Sequence, residues 1–576
     1  MKRFWGCMFL MLLLYGCKNQ EITTKVASTP TTFCNPIDLN YRFMIKPKAI
    51  GIREAADPVV IQFKDKFYLF ASKSSGYWST SDFISWKQTF IDKTTLPIEN
   101  YAPAVYASAD SVYYLGPTHG NIEIYRSADP ETGKWEKGGK VWTSWDPTLY
   151  VENDMLYLYY GCSPSNPIFL QKYNWKSLQK KGERISCIYP DTKQRGWERP
   201  GEFNELKRAP WVEGAWMTKH NNRYYLQYAV PGTEWKSYAD GVFVSDNPEG
   251  PFEYAPQNPV SYKPTGFIGG AGHGCIFQVG DNYWKAATNS ISVRDPYERR
   301  VSFYPAGFDN TEAMYTDTYL GDYPLYLPSA KPKSTVRPNW MLLSYHKPVS
   351  VSSTSTGKVE SVVDENIRTA WAAASNKSGE WVSVDLGKKC KVHAIQINYD
   401  EQATTLRGYQ DSIYQAYQLY ASHDGKKWYS IADFSEKRTD NPHHYVEFEK
   451  PFHARYIKWE NKAYNISPKV SLRELRVFGL AKGKKPAQLK TFSLDRNTED
   501  PTLLTVSWEP VEGATGYIIR EGVNKDNLFH NYQVTDHDSY KITSLNATES
   551  YYIAIDTYNE SGITRGVVQK IAAPHK

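Results

Sequence analysis

The sequence predicts an all-β chain: a five-bladed β-propeller followed by two β-sandwiches. Three observations carry this. One phrase recurs five times: a small or acidic residue, a short strand, a turn, then an aromatic strand. It reads DPVVIQFKDKFYLFAS from Asp57, APAVYASADSVYYLGP from Ala102, DPTLYVENDMLYLYYG from Asp146, EGAWMTKHNNRYYLQYA from Glu213 and GHGCIFQVGDNYWKAAT from Gly272. The first three copies start about 45 residues apart and the last two steps are about 60 to 67, a period of short strands that belongs to propeller blades. No helical period of useful length interrupts them, and Asp, Asn, Gly and Pro gather at the turns.

Each blade continues with a second strand-turn-aromatic unit, as in GYWSTSDFISWK (76–87), IEIYRSADPETGKWE (122–136) and GVFVSDNPEGPFEY (241–254). The propeller therefore spans 41–335. The Pro- and Lys-rich stretch PSAKPKSTVRPNW (328–340) reads as a linker. Beyond it the grammar changes. The segment 341–480 carries VVDENIRTAW (362–371), GEWVSVDLG (379–387), YQLYASHDGKKWYSI (417–431), ARYIKWE (454–460) and LRELRVFG (472–479). Those five motifs, in order, resemble the discoidin, or coagulation-factor type C, sandwich, also known as carbohydrate-binding module family 32. That resemblance implies structural roles for Trp371 and the Asp385-Leu386-Gly387 turn. The stretch Ser422 to Trp428 looks like a sialidase Asp-box, but a single copy inside a discoidin frame argues against one. The segment 486–573, with TVSWEPVEGATGYIIREG (505–522) and ITSLNATESYYIAIDTYNESG (542–562), resembles a fibronectin type III domain, with Trp508, Tyr517, Leu545 and Tyr551 at core positions.

Residues 1–17 read as a targeting segment. Lys2 and Arg3 precede the apolar run FWGCMFLMLLLYG, too short to span a bilayer. Its ending, Leu14 to Cys17, resembles a bacterial lipobox, which implies lipidation of Cys17, a membrane partner through that anchor, and a place in the cell envelope of a Gram-negative bacterium. Residues 18–40, rich in Thr, Ser and Pro, then read as a polar tether. The other cysteines outside this segment, Cys34, Cys162, Cys187, Cys275 and Cys390, lack metal-type spacing; only Cys162 with Cys187 is a candidate pair. The net charge of +6 is spread over 576 residues without a Lys/Arg block, so no nucleic-acid partner is expected.

The blade openings carry the chemistry. Asp57, Asp146 and Glu213 open blades one, three and four, and the innermost strand of a blade lines the central channel, so the three carboxyl groups are expected to converge on one axial pocket. An isolated Asp-Pro is ordinarily a turn cap; three acids at blade starts are a different matter. Glycoside hydrolysis commonly uses one protonated and one ionised carboxyl group flanking the scissile bond, and a third acid can hold up the donor's pKa and orient it.

The motifs Ala56-Asp57-Pro58, Trp145-Asp146-Pro147, Glu213-Gly214 and Gly270 to Gly274 (GAGHG), in that order, resemble glycoside hydrolase family 43, a five-bladed propeller family of inverting glycosidases, from about residue 50 to 325. The resemblance implies Asp57 as general base, Glu213 as general acid and Asp146 as the residue that tunes and positions that acid. It places His273 beneath the pocket; a buried structural histidine remains the other reading. Trp78, beside Tyr77, and Trp145 and Trp216 are candidate sugar platforms, with core packing as their alternative. Arg294 is the candidate pocket arginine, with Arg299 and Arg300 close by. Arg294-Asp295-Pro296 also spells a motif of the fructan-cleaving propellers, but it follows Glu213 instead of preceding it, which excludes that reading. The expected partner is a polysaccharide or oligosaccharide of plant or algal origin carrying terminal β-D-xylose or α-L-arabinofuranose, with terminal β-galactose as the alternative. No cofactor is required by any motif. A structural Ca²⁺, in the propeller channel or the discoidin loops, stays open, and His443, His444 and Tyr445 are candidate sugar ligands of the discoidin domain.

Overall fold

The computed structural model describes residues 21–45, 51–116, 118–329 and 335–574. The expected targeting segment, the Cys17 lipidation site and the first residues of the tether lie outside them.

Five four-stranded antiparallel sheets form the propeller, each a meander in chain order. Their innermost strands are Val59–Phe63, Ala104–Ala107, Thr148–Glu152, Glu213–His220 and Gly269–Val279. Each lies against the innermost strands of its two neighbours, and the fifth returns to the first, so the ring is closed. The aromatic and β-branched residues of the repeat fill the wedges between blades. Phe70, Tyr77 and Tyr114 pack blades one and two together, and Leu149, Leu158 and Tyr160 pack blades two and three. Blade five meets blade one through Phe67, Phe83, Phe277 and Phe303.

The stretch expected to be a free tether is not one over its described part. Thr32–Phe33 pairs antiparallel with Leu325–Tyr326. The Asn35 amide donates to the carbonyls of Phe303 and Gly321, and Cys34, Ile37 and Leu39 are buried. Glu447, in the second domain, accepts from the backbone N–H groups of Thr31 and Thr32. The apolar residues hidden among the polar ones hold this segment in the seam between blade five and the second domain, where its backbone donors find partners.

The second domain is an eight-stranded assembly dominated by two long strands, Trp381–Tyr399 and His443–Tyr464. Their pairing shifts register between Asp385 and Cys390 and again between Val392 and Ala394. Trp371 and Trp459 are fully buried in its core. The third domain is a sandwich of a three-stranded sheet, led by Phe492–Arg496, and a five-stranded sheet around Tyr551–Asn559. Trp508, Tyr517, Leu545 and Tyr551 are buried, as the sequence predicts.

The domains are joined by buried ion pairs. Arg473 of the second domain bonds Glu298 of blade five at 2.6 Å and Asp400 at 2.8 Å. Arg53 of the propeller bonds Glu401 at 2.6 Å and Asp440 at 2.5 Å. His443 accepts from the Arg300 guanidinium at 2.9 Å, and the Tyr445 hydroxyl lies 2.8 Å from that of Thr32. His444 lies against Tyr417 and Lys437. His443 is thus a buried interface residue, while His444 and Tyr445 are half-buried beside a cavity at the seam between the first and second domains. Cys162 and Cys187 are both free thiols.

Removing one member of a buried ion pair strands its partners. Arg473→Ala is expected to lower stability by about 3–5 kcal/mol and to split the calorimetric melt into separate propeller and sandwich transitions; a single melt at the wild-type temperature would refute the role of this pair.

Candidate functional site

The five blade starts share one backbone device. Asp57 (φ 53), Ala102 (φ 48), Asp146 (φ 54), Gly214 (φ 64) and His273 (φ 36) all sit in the left-handed region. Each lies two residues ahead of Val59, Ala104, Thr148, Trp216 and Cys275, where regular pairing of the inner strand is under way. Asp and His tolerate this conformation better than most residues, and its effect is to turn the chain at the axis just before the regular pairing of the inner strand. In blade four the left-handed residue is glycine: a Cβ there would stand 2.8 Å from the His273 ring. Glu213 comes one residue earlier and reaches the axis through a bulge, its pairing with Ala229 being out of step with that of Trp216 and Gln227. Asp57, Asp146 and His273 are thus the equivalent positions of blades one, three and five, and Glu213 is offset by one from them, a correction to the expectation of three matched acids.

The structure brings Asp57, Asp146, Glu213 and His273 to a pocket of about 190 Å³. His273 Nδ1 stands 3.3 Å from Asp57 Oδ1 and 3.8 Å from Asp146 Oδ2. Its backbone N–H donates to Asp240 at 2.7 Å, and Asp240 is paired with Lys285 beneath it. Asp57 accepts from Ser72 Oγ at 2.5 Å and from Arg299 at 3.3 Å. Arg299 also bonds Glu54 at 2.9 Å and Thr233 at 3.0 Å. Glu213 accepts from the Tyr238 hydroxyl on one oxygen and from the Cys162 thiol, at 3.2 Å, on the other.

The two aspartates are driven apart. Burial raises the Asp57 carboxyl, but Arg299 and His273 outweigh it, with the Ser72 and Thr288 hydrogen bonds, and hold it below the usual carboxylate range. Asp146 lacks the arginine, and His273 stands farther from it, at 3.8 Å. Burial, opposed by His273 and reinforced by the charges of Glu213 and Asp57, pushes it up to about 7. Burial works against the charged form of His273, yet Asp57, Asp146, Glu213 and Asp240 together raise it. The site thus sets a carboxyl group held low beside one pushed up toward neutrality, a separation that general acid–base chemistry uses.

Among the described residues, one group sets three metal-capable atoms together: Asp146, Cys162 and Glu213, all within 4.8 Å of one another. Burial and the two carboxyl charges push the Cys162 thiol far up, so it stays protonated and serves as a donor. Such a set does not suit Ca²⁺, which takes oxygen ligands only.

Two tryptophans stand at the mouth, Trp145 and Trp211, 45% and 46% exposed. Trp145 is where the sequence places it; Trp211 was missed. Trp78 is not in the pocket: it lies on the third strand of its blade, fully buried, donating to Asn40 at 2.8 Å. Trp216, on the inner strand of blade four, packs against two core clusters, one formed by blades one and five and one by blades one and two, and does not line the pocket. Arg294 is also elsewhere, bonded to Asp400 of the second domain at 2.6 Å. The pocket arginine is Arg299, the first residue of the strand Arg299–Phe308.

Comparison with known proteins bears on this geometry. Residues 48–305 match the family model for glycosyl hydrolases family 43, and residues 348–475 match that for the F5/8 type C domain. A beta-D-galactofuranosidase of Aspergillus niger is 31% identical over 86 residues, 15% of this chain and 25% of that protein. Rat (Rattus norvegicus) lactadherin is 33% identical over 104 residues, 16% of this chain and 23% of that protein. The chain thus spans about a quarter of the length of these curated relatives. Among solved structures, a glycoside hydrolase covers 76% of this chain and 99% of its own at 19% identity and a TM-score of 0.43. An endo-1,4-beta-xylanase from Bacteroides thetaiotaomicron covers 47% and 96% at 23% identity and a TM-score of 0.39. These matches liken residues 48–305 to a family 43 glycosyl hydrolase and residues 348–475 to an F5/8 type C domain.

The raised Asp146 carboxyl is open to direct measurement. Its protonated C=O band in difference infrared spectra should vanish as pH rises through about 7 and be missing in Asp146→Asn. In Glu213→Gln, where a repelling charge is gone, the band should vanish at lower pH; an unmoved transition would disprove the electrostatic link.

Proposed function

We propose that the family 43 domain is an inverting exo-glycosidase that removes terminal pentose residues, β-D-xylose or α-L-arabinofuranose, from a polysaccharide or its oligosaccharides. The observation that carries this reading is the convergence of Asp57, Asp146 and Glu213 on one small pocket. Ligand pockets commonly run to about 300–1,000 Å³; one of about 190 Å³ suits a single terminal ring, not a run of a chain. The match to a beta-D-galactofuranosidase adds support for a five-membered sugar ring as one form of substrate. Terminal β-galactose is the alternative within the same chemistry.

Asp57, kept ionised by Arg299 and His273, accepts a proton from water as it attacks the anomeric carbon. Glu213 protonates the departing oxygen. Asp146, within 4.8 Å of Glu213, retains its proton up to about neutrality and orients and resupplies that acid. Tyr238 and Cys162 fix the Glu213 carboxyl from its two oxygens, so the proton is presented in one direction. Trp145 and Trp211 offer flat faces at the mouth. The second domain, through its F5/8 type C resemblance, is proposed to hold the polymer nearby and raise the local concentration of chain ends. Lipidation at Cys17 would place this assembly on the envelope of a Gram-negative cell, the Leu14 to Cys17 pattern being its support.

A panel of p-nitrophenyl β-xyloside, α-L-arabinofuranoside and β-galactoside, with NMR of the fresh product, tests the reading. One substrate should be cleaved with inversion, and kcat should fall about 10²–10⁴-fold in Glu213→Gln. Retention of configuration, or full activity in that variant, would overturn it. The pH profile should keep its acid limb below the usual carboxylate range, since Asp57 is lowered, and lose activity as pH rises through about 7, where Asp146 gives up its proton.

A further inference from the structure

The connection between blades three and four is the long one. Blade three ends with the strand Lys180–Ile188 and blade four begins at Glu213, leaving residues 189–212 between them. This segment is not a surface loop lying on its own blades. Its first half is held by the third domain. Gly196 N–H donates to Leu545 O at 2.9 Å, and Gln194 O accepts from Ala547 at 2.7 Å. Arg199 bonds Asp500 and Thr502 at 2.8 Å each. A Cβ at Gly196 would stand 2.3 Å from Thr543 O, so the two backbones pass in direct contact. Its middle is held by the second domain: Glu202 bonds Arg368 at 2.6 Å and accepts the Lys236 N–H at 3.1 Å on its other oxygen. Asn204, fully buried, ties the turn together by donating to Trp197 O and Arg199 O.

The far end reaches the active site. Val212 exchanges both backbone hydrogen bonds with Ser163, at 3.1 and 3.2 Å. Around an extended residue the flanking side chains point to the same side, so Trp211 and Glu213 face the pocket together while Val212 is buried behind. A general acid must stand on the side from which the leaving group departs, because it protonates that group's oxygen. Trp211, half exposed beside the acid, is therefore placed against the departing unit and not against the terminal sugar held deeper in.

We propose that residues 189–212 are a strap through which both accessory domains hold Trp211 as the platform for the departing sugar unit. The third domain fixes the strap at Arg199, the second at Glu202, and the accessory domains thereby take part in choosing what is cleaved. This rests on the glycosidase reading above, with Glu213 as acid. Trp211 is a binding residue in this scheme; Arg368 and Asp500 are positioning residues that act through the strap.

The test uses the full chain and two substrates that share the terminal sugar. One is the disaccharide, whose leaving group is a sugar ring; the other is the glycosyl fluoride, whose leaving group has no ring to stack. Trp211→Ala should raise KM for the disaccharide about threefold to tenfold and raise that for the fluoride by clearly less. Arg368→Ala, Glu202→Gln and Asp500→Asn should reproduce that split, and hydrogen exchange in each should speed up over 195–212 but not in the blade strands. A general loss of fold would affect both substrates and the blade amides alike, which would overturn the proposal. So would wild-type disaccharide KM in Trp211→Ala, or unchanged exchange of the strap in the three remote variants. Calorimetric titration of the disaccharide into Glu213→Gln, with and without Trp211→Ala, separates this from failure of the glycosidase reading. Weaker binding without Trp211 supports the platform even if the wild type turns nothing over, and equal binding refutes the platform even if it does.

Discussion

The site depends on a backbone constraint, the left-handed residue that starts each blade. Ordinary strands send alternate side chains to the two faces of a sheet and none along the propeller axis. A single residue at positive φ just before regular pairing turns the chain at the channel, carrying Asp57, Asp146 and His273 into it, and the ring repeats the device in all five blades. For residues other than glycine this conformation costs of order 1–3 kcal/mol each, and Asp57, Asp146 and His273 all bear it. The surrounding ring holds them there: Gly161 N–H bonds Trp145 O and Ser72 N–H bonds Ala56 O, each closing the turn at a blade start from fifteen residues beyond its aspartate. Gly214 occupies the same position in blade four, where the His273 ring leaves no room for a side chain.

Once the acids are forced together, their partners decide which is charged. Arg299 touches Asp57 alone of the three, and His273 stands nearer to Asp57 than to Asp146. Arg299 therefore settles on the Asp57 side of the pocket, while on the opposite side His273 reaches Asp146 only at 3.8 Å and Glu213 accepts from two uncharged donors, Cys162 and Tyr238. A thiol is a weak donor compared with a hydroxyl. It fixes the direction of one Glu213 oxygen while the Tyr238 hydroxyl fixes the other. Lys285 contributes from below: by pairing with Asp240, it anchors the acceptor that fixes the His273 backbone, and with it the ring beneath both aspartates.

Much of this was legible in the chain because it is repeated. Short aromatic strands at a regular period specify blades, and acids at blade starts specify an axial pocket. What escaped is what the repeat does not encode. Glu213 was aligned with the two aspartates, when a bulge sets it one residue off. Trp78 and Trp216 looked like platforms because they lie near the acids in sequence, but strand order carries the first outward and the second packs against the cores of blades one, two and five instead of lining the pocket. Arg294 and Arg299 are five residues apart, and only the loop between two strands decides which returns to the channel. Alternation did hold a usable signal: Arg299 opens the apolar-alternating run RRVSFY, whereas Arg294 sits among turn residues. Trp211 carried a comparable signal, standing two residues before Glu213 in extended chain.

The same limit explains the domain joints. Arg53, Arg473 and Arg476 look like ordinary surface charges in the sequence, yet all three are buried with acidic partners. A buried arginine without its carboxylate is strongly destabilising, while a well-matched apolar replacement of the whole pair is often tolerated. Such pairs therefore specify one docking geometry more than they add net stability. That selectivity matters here because the strap between blades three and four touches all three domains. If the sandwiches were free to swing, Arg368 and Asp500 could not define the position of a segment that ends beside Glu213. The segment 21–45, filling the seam between blade five and the second domain, closes the remaining gap. The shape of the pocket mouth is thus set by the docking of the whole chain, while the chemistry at its floor is set by the propeller alone.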